Sequence, residues 1–210
     1  LALHKKGDVE AAIDSYQQAL KINPDYVNAY NNMGAALAET VFNKPNSGLM
    51  EIILLLLDQR TTCRPNNIAR AAISLLKLEP SMKELLEKHS LGTLRQSLQQ
   101  TISTLAKLPL LLKLMSVCPI ADLELESILV DIRSALLSSI DEISISPNIL
   151  HFQSALALQC FTNEYIYNQT DKETELLEVL KSAIEKALSN GQQPSPQSVL
   201  CLASYAALHE

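Results

Sequence analysis

Apolar residues recur along this chain at spacings of three and four, the period of an amphipathic helix. No alternation of strand and helix patterns is visible. Two helical series open the chain: Ala11, Ala12, Tyr16, Ala19 and Leu20, then Tyr30, Met33, Ala36 and Leu37. Between them Lys21-Ile22-Asn23-Pro24-Asp25 is a break. Pro24 bars the residue before it from α geometry and suits the start of a helix. Upstream, Gly7-Asp8 is a second turn signal. Beyond Gly48 the spacing predicts helices over 49–60, 67–78, 81–90, 92–107, 109–116, 122–141, 148–168, 171–189 and 196–209. Asn66 or Asn67, Asp122 and Asp171 are candidate caps for three of them. Pro80 reads as a stop, and Gly191 closes one helix ahead of the loop Gln192-Gln193-Pro194-Ser195-Pro196. The predicted fold class is all-α.

Composition narrows this further. Gly and Pro number 5 and 9 in 210 residues, too few for many hairpin turns. The net charge is −6, with charged residues at 19%. Nucleic-acid binding needs clustered Lys and Arg and is not expected. The longest strongly apolar stretch, Leu49–Leu57, is interrupted by Glu51 and covers about half a bilayer, so no membrane span is expected. Cys63, Cys118, Cys160 and Cys201 are far apart, with no Cys-x-x-Cys and no Cys/His pair at metal spacing. They read as reduced core thiols of a cytoplasmic protein, which makes the sequon at Asn168 a chance match. No metal site is expected.

The opening segment resembles the tetratricopeptide repeat (TPR), whose period is 34 residues. Leu3, Gly7, Ala12, Tyr16, Ala19 and Pro24 match that family's positions in order, and Tyr30, Met33, Gly34 and Leu37 begin a second unit. The resemblance implies about one and a half repeat units over 1–40, a linker over 41–48 and a larger helical domain over 49–210, expected to continue past 210. That domain is either a continued helical stack or a bundle. In several families of this repeat an asparagine at the place of Asn32 faces the groove and hydrogen-bonds an extended peptide. Asn28, Asn31 and Asn32 are therefore peptide-groove candidates.

Two further stretches carry a second resemblance. They are Gln159-Cys160-Phe161-Thr162-Asn163-Glu164-Tyr165-Ile166-Tyr167, and Arg64-Pro65-Asn66-Asn67-Ile68 followed by Ser74–Pro80. Behind TPRs they are similar to the helical region that joins the repeats to an S-adenosylmethionine-dependent methyltransferase domain in a bacterial group. This implies a non-catalytic interaction and regulatory portion of such an enzyme, with Asn163, Glu164 and Tyr167 exposed as a docking edge for the downstream domain. The cofactor would belong to the parent protein. The glycines here (Gly7, Gly34, Gly48, Gly92 and Gly191) are too scattered for the Gly-rich turn that a cofactor site needs. The alternative is a stand-alone repeat scaffold, or an oligomerisation protein whose copies associate through apolar ends at Leu1, Leu3 and 199–208.

Chemistry within the chain finds no constellation, and no catalytic residue is assigned. His151 and Cys160, nine apart, point to opposite faces of one helix; Cys201 and His209 are also too far apart to pair. Cys160 and Phe161 otherwise read as core, with the Tyr165 hydroxyl at its rim. Asp122, Glu124, Glu126, Asp131, Asp141 and Glu142, with only Arg133 among them, read as a solvated acidic face or a contact for a basic partner.

Overall fold

The computed structural model describes residues 9–38, 40–59 and 63–208. Among them are eleven α-helices, one 3-10 turn and no strand, as the spacing predicted. Leu3, Gly7, His4 and His209 lie outside the described residues. The chain forms two compact units, Leu1–Glu79 and Pro80–Glu210.

The first unit holds α1 (Val9–Ile22), α2 (Val27–Leu37), α3 (Ser47–Asp58) and α4 (Pro65–Leu76). The turn between α1 and α2 is held locally. Asn23 Oδ1 accepts from the Asp25 amide at 3.2 Å, and the Tyr30 hydroxyl donates to the Pro24 carbonyl at 3.0 Å. Ala12, Ile13, Ala29, Met33 and Leu37 are fully or almost fully buried where these two helices meet the rest of the unit. Small residues let the helix axes approach closely, which is why the Ala-rich spacing reads as a helical hairpin. Helix α4 packs against both α2 and α3. The Phe42 amide donates to Ser74 Oγ at 3.0 Å, fixing the irregular stretch 40–46 to α4. The helices before and after that stretch therefore share one core.

One start signal in this unit differs from expectation. Neither Asn66 nor Asn67 caps α4. Pro65 takes the first helical position, where its fixed φ and missing N–H cost nothing, and Arg64 becomes the cap residue. Asn46 caps α3, accepting from the Leu49 amide at 3.0 Å.

The second unit contains α5 (Pro80–Ser90), the 3-10 turn Leu94–Ser97, α6 (Leu98–Leu105), α7 (Pro109–Val117), α8 (Leu123–Ser138), α9 (Pro147–Thr162), α10 (Asp171–Ser189) and α11 (Pro196–Ala203). Pro80, read as a stop, begins α5. The helix expected over 92–107 begins after Gly92, which is left-handed at φ 66°, and is split at Ser97, whose φ of −135° and ψ of 42° leave helical geometry. Helix α9 is central and packs against α6, α7 and α11. Its Phe152 and Cys160 are wholly inaccessible to solvent. A separate cluster of Leu137, Leu177, Leu180, Cys201 and Tyr205 joins α8, α10 and the end of α11. Asp122 caps α8 as expected, accepting from the Leu125 amide at 3.1 Å. Asp171 is not the cap of α10. Thr170 is, through a reciprocal pair with Glu173.

Candidate functional site

The peptide-groove candidates lie on α2. Ala29, Tyr30, Met33, Gly34, Ala36 and Leu37 turn inward, which leaves the opposite face to Asn28, Asn31 and Asn32. Asn28 and Asn31 are exposed and Asn32 is half-buried, with exposed Ala35 continuing the face. The structure thus brings the three asparagines together on one solvent-facing stripe. A small pocket of about 130 Å³ lies elsewhere in this unit, lined by Glu10, Asp14 and Gln17 of α1 and by Asn46 and Leu49 at the start of α3.

The docking candidates fare differently. Glu164 is exposed, but Asn163 and Tyr167 are buried, so an exposed edge made of all three is corrected. The reason is a ladder of buried polar groups four residues apart in the chain, Gln159, Asn163 and Tyr167. With its amide turned so that the nitrogen faces carbonyls, Gln159 donates to the Cys118 carbonyl at 3.1 Å and accepts from the Ile120 amide at 3.0 Å. In that orientation it also accepts from Asn163 Nδ2 at 3.2 Å. Asn163 Nδ2 donates in turn to the Tyr167 hydroxyl at 2.8 Å. A buried amide needs partners, and these residues supply them to one another. Phe161, expected in the core beside Cys160, is 58% exposed.

Tyr167 turns inward because Arg133 is there. This arginine, read as the lone cation of an acidic helix, is 1% exposed. Its guanidinium lies 4.2 Å from the Tyr205 ring centroid and 5.5 Å from that of Tyr167. It also donates to the Asn168 carbonyl at 3.0 Å. Tyr205 links the cation to a carboxylate: its hydroxyl donates to Glu173 Oε1 at 2.7 Å. Burial works to raise the Glu173 carboxyl. The bonds from the Thr170 amide, the Tyr205 hydroxyl and the Thr170 hydroxyl, together with the Arg133 charge, outweigh it and hold the group below the ordinary range. Apart from the Thr170–Glu173 capping pair, no sequence spacing links these residues, which come from α8, the loop before α10, α10 itself and the residues after α11.

Two candidate chemistries do not assemble. Cys160 is buried while His151 is exposed, so they do not pair. Burial pushes the Cys118 and Cys160 thiols up to about 11 and Cys201 to about 12, with Arg133 acting the other way on the last two. Such thiols are protonated at neutral pH and are poor nucleophiles. His89 meets Asp131 Oδ2 at 2.9 Å and Ser127 Oγ at 3.2 Å, both through Nε2. A relay needs the carboxylate and the hydroxyl on different ring nitrogens. Among the described residues no group of three or more His, Cys, Asp or Glu could hold a metal ion, and no helix is long and apolar enough to cross a membrane.

No curated protein and no solved structure matches the chain. The family model of the TPR repeat matches residues 1–41, the segment that contains α1 and α2; repeats of that family generally mediate protein–protein interaction.

Proposed function

We propose that the chain is a protein–protein interaction module that recruits an extended peptide through the exposed face of α2. We propose further that it forms the non-catalytic part of a bacterial S-adenosylmethionine-dependent methyltransferase. The observation that carries the first part is the TPR match over 1–41, joined to the stripe of Asn28, Asn31 and Asn32. Asparagine both donates and accepts, so it can pair with peptide amides whatever the peptide's side chains. Stacked helical hairpins present surfaces of this kind. What supports the second part is the resemblance of Gln159–Tyr167, Arg64–Ile68 and Ser74–Pro80 to the region that follows TPRs in that group. In this reading the repeat spans 1–40, 41–48 links, and 49–210 is the helical region. The scattered glycines support a cofactor site outside these residues.

A photo-crosslinking amino acid placed at Asn28, Asn31 or Asn32 in cells is expected to trap a discrete partner, while the same probe at exposed Gln99 traps none. Identical products at all four positions, or none at any, would overturn the peptide face. Calorimetric titration of S-adenosylmethionine into the 210-residue chain is expected to give no binding; a stoichiometric complex would overturn the assignment of the cofactor to another domain.

A further inference from the structure

A groove of about 470 Å³ lies between α9 and the end of α11, far in sequence from the repeat. Leu158, Phe161 and Tyr165 form one wall, and Leu200, Ala203 and Leu208 the other. Water reaches apolar surface here: Phe161 is 58% exposed, Leu208 57% and Leu158 46%. Grouped exposure of this kind marks an interaction site, whereas single apolar side chains do not.

The aromatic wall is built by an unusual turn. Glu164 and Tyr165 both have φ of 54°, a left-handed pair without a glycine. The Glu164 amide donates to the Phe161 carbonyl at 3.0 Å, and the Tyr165 amide to the Cys160 carbonyl at 2.9 Å. This turn sends Tyr165 back beside Phe161, the rings edge-on with centroids 6.4 Å apart. The Tyr165 hydroxyl then bridges to the Ala203 carbonyl at 3.4 Å, tying the two walls together. Strained backbone of this kind persists where it holds a side chain in a required place.

Charge selects the occupant. No Lys or Arg occurs between Arg133 and Lys172 or between Ala187 and Glu210, so neither wall carries a cation. Exposed Glu164 stands beside the aromatic wall. The unit Pro80–Glu210 contains nine Lys and Arg against fifteen Asp and Glu, while Leu1–Glu79 is balanced at eight and eight. The entire net charge of −6 therefore belongs to the unit with the groove. A second copy would bring the same acidic unit and the same cation-free walls, and like charge opposes that pairing. The exposed Phe161 ring is of the kind that attracts guanidinium and ammonium groups.

We propose that this groove receives one amphipathic helix of a partner protein, with an apolar stripe in the groove and Lys or Arg on its flank against Glu164 and the exposed Phe161 ring. Helix-in-groove recognition of this form uses anchors about three, four and seven residues apart.

The test is selection of a displayed library of 16-residue helical peptides against the full chain. Leu158→Ser/Phe161→Ser serves as the counter-target, since both side chains are already exposed and circular dichroism can verify its fold. Enriched peptides are expected to carry Leu, Ile or Phe at helical spacing and to contain several-fold more Lys and Arg than Asp and Glu. Their affinity is expected to fall at least tenfold in the double variant and with added salt. Peptides that bind both proteins equally, peptides without a basic bias, or no enrichment at all would overturn the proposal. A dimer of the full chain that the double variant dissociates would overturn it too, by giving the groove to a second copy.

Discussion

A Cβ placed on Gly34 would stand 2.7 Å from the Cys63 sulfur and 3.4 Å from the Cys63 Cβ. Helix propensity alone favours Gly34→Ala by about 0.8–1 kcal/mol. Overpacking a filled site costs about 1–3 kcal/mol, and here the obstacle is a buried side chain with little room to move. The expected net loss is about 1 kcal/mol, read as a lower midpoint in urea unfolding. Adding Cys63→Ala removes the obstacle, so the double variant is expected to recover most of that loss. A rise in stability for Gly34→Ala alone would show that the approach is loose. Gly34 was legible as a repeat position; its reason was not, because Cys63 lies beyond the repeat. Arg133 shows the same limit. Its neighbours on α8 are acidic, which suggested a solvated face. The partners that make its burial tolerable, Tyr167, Asn168 and Tyr205, come from distant parts of the chain. A buried cation is stable only with such partners, and no local pattern announces them.

At the scale of elements, periodicity located nearly every helix, but their ends depended on local chemistry. Helix α9 was expected to run to 168 and stops at Thr162, because the chain turns through Glu164 and Tyr165 without the glycine that usually signals such a stop. The start of α10 was misplaced by one residue for a different reason: Asp171 and Thr170 are both competent caps, and geometry decides between them. Thr170 Oγ1 accepts from the Glu173 amide at 3.2 Å, and Glu173 Oε2 accepts from the Thr170 amide at 2.9 Å. Glu173 is buried, so these bonds also hold one end of the chain of groups that reaches Arg133 through Tyr205. Thr170→Ala is expected to lower stability by about 1 kcal/mol, the usual cost of losing an N-cap side chain. Thr170→Ser retains the hydroxyl and is expected to lose less than half of that in the same thermal melts. Equal losses for the two variants would mean that the methyl group, and not the cap, is what α10 needs.

Across the whole molecule, the fold class and the repeat were readable from spacing, while the groove on α9 and α11 was not. Leu158, Phe161 and Tyr165 do fall at helical spacing in the sequence, but spacing alone cannot say that the helix ends before Tyr165 or whether the residues face the core or water. Protonation behaviour is likewise a property of the folded whole. Burial raises Cys118 and Cys160 from 9.0 to about 11 and Cys201 to about 12, against a smaller opposing effect of Arg133 on the last two. Burial also pushes the Tyr167 and Tyr205 hydroxyls up. Between those limits the folded chain holds protons that the unfolded chain has released, so stability falls as pH rises above about 9. Each thiol can remove up to about 1.4 kcal/mol per pH unit in that window. Glu173 acts at the other end. Its folded-state value is lowered from 4.5, so the stability it contributes is present above that value and is lost as pH falls below it. The melting temperature is therefore expected to stay level for these groups between about pH 5 and 9, with a descending limb on each side. Cys201→Ala is expected to make the alkaline limb shallower without abolishing it, since Cys118, Cys160 and the two tyrosines still titrate. A melting temperature that climbs past pH 9, or an alkaline limb indifferent to every cysteine substitution, would show that these buried groups do not govern the stability of the fold.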